Sequence, residues 1–344
     1  MPGGRARPSY SAPMRTPPAD LAPGALVRAL ADGWGIAAGR IDYAPVGAGS
    51  HHWAVVADDG RRTFATVDHL GQKAWLGDDP DAAFAGLRAA LDTATALAGC
   101  GLGFVVAPLP SDGGAPLLRV GELFALAVYP FVDGRAGDFD DAPDAEGVVE
   151  MLAAVHGAEG AATYAGAEGV TVPGRSHIVT AMRDGRPWSG GPFSQPAQRA
   201  FEAHRGDVAD LLALADRLAA AIEARGRAHV VTHGEPHPGN ILTTAGGKVL
   251  VDWDTVSVAP PERDLWGLAR TPGDPAAVAY TELTGRPVDG DALDLFRLIW
   301  DLKDLAEYLH VLRAPHTENE DTEREFRGLE HCVAVRAEWA GRLG

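Results

Sequence analysis

Glu235, Asn240 and Asp252 are the residues whose types and spacing could do chemistry together. The first two lie in His233-Gly234-Glu235-Pro236-His237-Pro238-Gly239-Asn240, and the third in Val251-Asp252-Trp253-Asp254. An amide oxygen and a carboxylate are hard donors, suited to a cation such as magnesium. A carboxylate on the loop just upstream could orient a hydroxyl and accept its proton. Taken singly, Glu235 and Asp252 read as solvated loop carboxylates and Asn240 as a turn residue. Acid, amide five positions on, then an Asp beyond a hairpin read together as a site.

Certain elements must hold these groups in place. Val230-Val231 predicts a short strand entering the loop, and Pro236, Pro238 and Gly239 exclude a regular helix after it. Ile241 to Thr244 predicts a strand, Ala245-Gly246-Gly247 a turn, and Lys248 to Val251 a second strand. A three-residue loop between Thr244 and Lys248 sets Asn240 opposite Asp252, at one end of a two-stranded ribbon.

This wiring is similar to the catalytic loop and metal-binding Asp of kinases. More closely, the segment resembles the aminoglycoside phosphotransferase family, the antibiotic- and choline-kinase-like group. The residues that carry the resemblance are His233, Gly234, His237, Asn240, Asp252, Trp253 and the pair Asp264-Leu265. It implies an α+β, two-lobed protein-kinase-like fold, with a small β-rich N-lobe over residues 23–130 and a larger, mainly helical C-lobe over 131–344. It implies Glu235 and His233 in catalysis, Asn240 and Asp252 on Mg2+, and Asp264 and His237 as structural support. The expected co-substrate is ATP or GTP. The chain departs from the family at Glu235, where the pattern has Asp. The extra methylene moves the carboxylate by over about 1 Å, a displacement that can cost on the order of a hundredfold in rate.

The N-terminal half supplies the remaining parts of such a fold. Leu26, Val27, Leu30 and Trp34 are spaced for an amphipathic helix. Strands are expected over Tyr43 to Val46, Trp53 to Ala57 and Thr63 to Val67, with Asp59-Gly60 as a hairpin turn. Gly47 and Gly49, with Ser50, form a turn whose backbone N–H groups could close over phosphates. The same glycines also fit an ordinary hairpin. A kinase carries a lysine on its third strand, paired with a glutamate on the next helix. Phe64 to Asp68 holds none, Thr66 stands near the lysine's place, and the helix over Asp81 to Leu97 has no glutamate. Arg62, Lys73 or Arg88 would have to reach the phosphates instead. Tyr129 and Phe131 begin a stretch similar to the family's inter-lobe hinge, where backbone groups meet the base. Strands are also expected over Phe104 to Pro108 and Leu123 to Val128.

Further on, Val148 to His156 reads as a helix closed by a packing or capping histidine. Residues 157–200, rich in Gly, Pro and Ser, read as a long irregular insertion that could shape a substrate pocket. Leu211, Leu212, Leu214, Leu218 and Ile222 mark a helix with a core face. Leu295 to Leu309 marks another, on which Asp301, Asp304 and Glu307 are spaced to share one side. In the family such acids often meet cationic substrates; on their own these residues read first as a solvated polar face. A last helix is expected from about Glu323.

With 47 acidic against 30 basic residues the net charge is −17. That argues against non-specific nucleic-acid binding and anionic membrane surfaces, and is compatible with a cationic small-molecule partner. Two cysteines give no disulfide framework, which fits a reducing cytoplasm. Lysine is confined to Lys73, Lys248 and Lys303. The proline-rich residues 1–22 read as a disordered tail with no signal peptide, and Asp138, Asp140, Asp141, Asp144 and Glu146 as a solvated acidic run. Three functions are consistent with these residues: a kinase passing a phosphoryl group to a hydroxyl of a small molecule such as an aminoglycoside, another antibiotic or a metabolite; a kinase fold repurposed for binding a ligand or partner; and a metal hydrolase using His233, Glu235 and His237. The last has the wrong spacing for a helical zinc site.

Overall fold

The structure is a computed structural model describing residues 16–343 apart from 23, 48, 74, 78, 139–144 and 167–169. The expected tail falls mostly on residues 1–15, outside the described residues, as do Ala48 of the glycine turn and Asp140, Asp141 and Asp144 of the acidic run.

Alternating burial builds the N-lobe. In α1 (Ala25–Trp34), Leu26, Leu30 and Trp34 turn inward. They meet one face of a five-stranded antiparallel sheet of order β1-β2-β3-β5-β4. Its first strands are β1 (Ala38–Ala44), β2 (His51–Ala57) and β3 (Arg62–His69). The helix α2 (Pro80–Gly99) follows, opened by Asp79, whose carboxylate accepts the N–H groups of Asp81 and Ala82 at 2.9 and 2.8 Å. The sheet is completed by β4 (Leu118–Val120) and β5 (Phe124–Pro130). Ala65 and Val67 of β3 face α1, while Ala125 and Ala127 of β5 face α2. Thr66 pairs with Ala127 and Asp68 with Ala125, so both project toward the α2 side of the sheet. The strand expected over Phe104 to Pro108 is absent: this segment makes a single bridge, Val105 to Leu250, and the edge strand is β4. An apolar run with one short backbone pairing lacks the partner that would make it a strand.

The chain passes from β5 to β6 (Gly134–Ala136), which pairs with β8 of the C-lobe, so residues 131–133 join the lobes. The C-lobe begins with α3 (Ala145–Gly157). The expected irregular insertion contains α4 (Arg175–Arg183) and the start of α5 (Ser194–Ala203). Ile178, Ala181, Ala197 and Phe201 of these helices are buried in the main helical core. Next is α6 (Arg205–Ala224).

The strands that carry the candidate chemistry are β7 (Val230–Thr232), β8 (Ile241–Thr244), β9 (Gly247–Leu250) and β10 (Ser257–Ala259). A short α7 (Glu262–Leu265) leads to α8 (Pro275–Thr284), α9 (Gly290–Arg313), α10 (Glu320–Ala334) and α11 (Ala340–Leu343). The ribbon differs from expectation by one residue. Thr244 pairs with Gly247 across a two-residue turn, and Val251 N–H donates to the Asn240 carbonyl at 3.0 Å. Val251, not Asp252, is therefore opposite Asn240. The Thr244 hydroxyl accepts from Gly246 N–H at 3.1 Å and donates to the Gly247 carbonyl at 2.7 Å, which closes the turn early.

The two lobes share α2. Its first turns cover the sheet, and Ala90, Ala94 and Leu97 near its end enter a core with Leu152, Trp253, Leu265 and Tyr280.

Candidate active site

Asp264 holds the loop between β7 and β8. Its buried carboxylate accepts the backbone N–H groups of His233 at 2.8 Å and Gly234 at 2.6 Å, and contacts His156 Nε2 at 3.0 Å. His156 in turn meets the Tyr280 hydroxyl at 2.9 Å. Burial alone would raise Asp264; the hydrogen bond from His156, together with the neighbouring His156, His233 and Arg263 charges, outweighs it and holds the carboxyl below its ordinary range. Gly234 sits at φ 99°. A Cβ there would fall on the Arg263 guanidinium, which binds Thr232 Oγ1 at 3.0 Å and the Thr255 carbonyl at 2.9 Å. The glycine is required by both backbone angle and space.

His233 is fully buried and serves the loop. Its Nε2 donates to the Val251 carbonyl at 2.9 Å, and its Nδ1 accepts from Glu235 N–H at 3.2 Å. Those bonds require the neutral ring, and burial lowers its pKa in the same sense. Both ring nitrogens of His233, for which a catalytic part was expected, are thus engaged within the loop. His237 packs edge-on to Trp300, ring centroids 6.0 Å apart. Burial pushes it down to about 4. The Asn240 amide nitrogen donates to the Glu235 carbonyl at 3.0 Å and contacts His237 Nε2 at 3.3 Å. Asp252 is exposed at the end of β9 with φ 64°, the sole positive φ of a non-glycine among the described residues. Such a strained angle persists only where surrounding structure enforces it, and it is concentrated at functional positions.

A buried lysine lies just beyond β3. Lys73 follows a single 3-10 turn, Leu70–Gln72, and is 1% exposed. Its Nζ lies 2.8 Å from Asp68 Oδ1, 2.6 Å from Asp254 Oδ2 and 2.9 Å from Ser50 Oγ, and Ser50 Oγ donates to Asp68 at 2.6 Å. Burial alone would lower the ammonium; Asp254 and Asp68 outweigh it and hold it charged. The acidic partner is on the strand, not the helix. Of the other two cations considered, Arg62 lies over the Phe131 ring, 3.6 Å from its centroid, and Arg88 faces Asp92 on α2. Thr66 contacts His52 Nδ1 at 3.1 Å. Tyr129 pairs with Phe64 across the strands. Gly47 and Gly49 have φ of 67° and 79°.

Glu235 is half-buried, and its Oε1 forms a short ion pair with Lys303 Nζ from α9. Burial would raise the Glu235 carboxyl, but Lys303 holds it down to about 2. Beside it lies a cavity of about 320 Å3, whose walls include Trp75, Asp254, Trp266, Trp300 and Lys303. Asp301, Asp304 and Glu307 do not line it; Asp301 is 4% exposed, and Glu307 Oε1 lies 4.0 Å from Lys303. Sequence reasoning missed Asp68, Asp254, Trp75, Trp300 and Lys303. The signal available was the scarcity of lysine: two of its three positions, Lys73 and Lys303, lie at this cleft.

No group of three or more His, Cys, Asp or Glu that could hold a metal occurs among the described residues. The hydrolase reading would need His233, whose two ring nitrogens already bond the Val251 carbonyl and the Glu235 N–H. Asn240 and Asp252 remain a two-donor oxygen set of the kind magnesium uses alongside phosphate oxygens and water. No described helix is long and apolar enough to cross a membrane.

These parts define a two-lobed protein-kinase-like fold with a braced loop facing an inter-lobe cleft. The profile of the phosphotransferase enzyme family matches residues 42–323, and the chain belongs to that family. It is similar to protein StrN of Streptomyces griseus, 30% identical over 252 residues, covering 70% of this chain and 75% of StrN. Among solved structures it is similar to spectinomycin phosphotransferase APH(9)-Ia in complex with ADP and spectinomycin. That match has a TM-score of 0.65 and 16% identity over 93% of this chain and 98% of the other. It is also similar to APH(2")-IIIa in its GDP and kanamycin complex, with a TM-score of 0.56 and 12% identity over 92% and 99% of the two chains.

Proposed function

We propose that the protein transfers the γ-phosphoryl group of a nucleoside triphosphate, with ATP preferred over GTP, to a hydroxyl of a small molecule. The observation that carries this reading is the meeting of Glu235, Asn240, Asp252 and the Lys73–Asp68–Asp254 cluster around one loop and its ribbon. Lys73 and Ser50 meet the phosphates, the amides around Gly47 and Gly49 close over them, and the chain at Tyr129 and Phe131 meets the base. Asn240 and Asp252 would hold magnesium, which would supply charge neutralisation for the phosphates.

Glu235 contributes mainly by orienting the acceptor. A carboxylate held near 2 is a weak base, but phosphoryl transfer passes through a loose transition state and depends mostly on positioning and charge neutralisation. The acceptor oxygen bonds to the γ-phosphorus, the bridge to the β-phosphate breaks, and the acceptor proton leaves by way of Glu235 or the transferred phosphate. The nucleotides in the two solved complexes support the donor class; their antibiotics make a hydroxylated natural product the first acceptor to try.

The same weak basicity favours a second reading, a fold kept for nucleotide binding without turnover. Thermal denaturation with ATP, GTP and magnesium, followed by nucleotide turnover, separates the two. At a hundred times its dissociation constant, magnesium nucleotide should stabilise by about 2.7 kcal/mol. Glu235→Ala should abolish turnover and keep that stabilisation, while Asp252→Ala should remove its magnesium dependence. Stabilisation with no turnover for any hydroxylated acceptor favours the binding reading. No stabilisation by either nucleotide defeats both.

A further inference from the structure

Lys303 does something no other part of the cleft explains. Glu235 is one methylene longer than the aspartate of the family pattern, so its carboxylate has more rotamers to lose before it can orient anything. Lys303 removes that freedom. Both side chains are largely buried, 17% and 20% exposed, and their ion pair is short. The ammonium is itself enclosed: the Trp75 and Trp300 rings lie 5.3 and 5.7 Å away, and Glu307 lies 4.0 Å away. Two aromatic faces and carboxylates are the chemistry of an ammonium site. Here the site is filled from within.

The remaining charges agree. The carboxylates lining the cavity among the described residues are Glu235 and Asp254, and each already has a lysine, Lys303 and Lys73. Asp304 and Glu307, which an incoming polycation would need, act on Lys303 instead. An amine-bearing acceptor would have to displace a buried ion pair to reach Glu235. A ring without charge meets Trp75, Trp266 and Trp300.

We propose that Lys303 is a positioning residue, a built-in cation that fixes Glu235 and fills the ammonium place before it, so that Glu235 meets an uncharged alcohol. The catalytic half of this proposal rests on the function proposed above; the occupied ammonium place does not.

The test uses the full chain as wild type, Lys303→Ala, Lys303→Arg and the double variant Lys303→Ala/Glu235→Gln. The probes are butylammonium and, as the neutral control, butanol. Tryptophan fluorescence is titrated first, because Trp75 and Trp300 flank the place vacated by Lys303→Ala. Butylammonium should bind Lys303→Ala saturably, and the wild type and the double variant at least about tenfold more weakly. Butanol should show no preference for Lys303→Ala over the wild type. Hydrolysis of magnesium ATP, with water as acceptor, is then followed. Lys303→Ala should lose about ten- to a hundredfold in kcat with KM for ATP unchanged. Butylammonium should restore it over the concentration range in which it binds, and Lys303→Arg should retain most of the rate.

Equal butylammonium binding by wild type and Lys303→Ala overturns the filled site. Wild-type kcat in Lys303→Ala overturns the positioning role. If the wild type neither binds nor turns over nucleotide, the proposed function fails, and the fluorescence titration alone decides the ammonium place. Should Lys303→Ala not fold, Lys303→Met keeps the apolar stem between the tryptophans. Wild-type kcat in Lys303→Met would equally sink the proposal.

Discussion

At the scale of single residues, two lysines set the electrostatics of the cleft. Lys73 bridges Asp68 on the small-lobe sheet and Asp254 beyond the ribbon. Removing one partner of a buried ionic cluster leaves the others uncompensated, which costs about 3–5 kcal/mol in the worst case. Lys73→Met is therefore expected to lower stability by about 2–4 kcal/mol, as measured by urea denaturation. Adding Asp68→Asn should recover part of that loss, because it removes one of the two stranded carboxylates. Loss of a charge-assisted bond to phosphate should also weaken nucleotide binding by roughly ten- to a hundredfold. Calorimetric titration would check this. Unchanged nucleotide affinity would take Lys73 out of the phosphate site.

At the scale of elements, the candidate base depends on a loop that is rigid without being regular. Asp264 supplies the acceptors that a helix or sheet would otherwise provide to His233 and Gly234. Gly234 makes the geometry possible through its positive φ and by leaving room for Arg263. Gly234→Ala is expected to destabilise the protein by about 2 kcal/mol or more, combining backbone strain with displacement of the guanidinium. Turnover should fall further than stability explains, because the loop carries Glu235. Gly49→Ala is the control: it also has positive φ, 79°, but open space at the Cβ position. It should cost only about 1 kcal/mol. A Gly234→Ala variant no less stable than Gly49→Ala would show that the close approach to Arg263 is unimportant.

At the scale of the whole molecule, the acidic balance is uneven in its effects. Glu325 on α10 is half-buried, and burial first, then the Glu307 charge, pushes it up to about 7. The unfolded chain releases this proton near the ordinary value of 4.5. Between those values the native state holds a proton the unfolded state has lost, so stability falls as pH rises through this window. Above about pH 7 the full penalty applies. Glu325→Gln removes it. After allowance for solvent screening, the variant should gain on the order of 1–2 kcal/mol over wild type between pH 5 and pH 8. Thermal melts at the two pH values would measure this. A gain independent of pH would reject the cause.

The catalytic-loop residues were legible because their information is local: acid, amide and brace lie within about thirty positions. The β8–β9 ribbon was legible for the same reason, and only its register was misjudged, since a two-residue and a three-residue turn share the same Gly-rich composition. Asp264, which the family resemblance implied as support, bonds the loop backbone, and the two-lobed fold was implied by that same resemblance. The helices within 157–200 were missed because their few core residues are separated by the Gly and Pro of their own ends. The ion pairs lay beyond local reading altogether. Lys73 and Asp254 are 181 positions apart, and Glu235 and Lys303 are 68 apart. A lysine has a long, flexible stem, and no periodicity says where its ammonium will settle. By itself the sequence carried the family resemblance and the local order of the loop and its ribbon. Tertiary packing alone decided which cation serves the cleft and which carboxylates are already neutralised, because charges act across space and not along the chain.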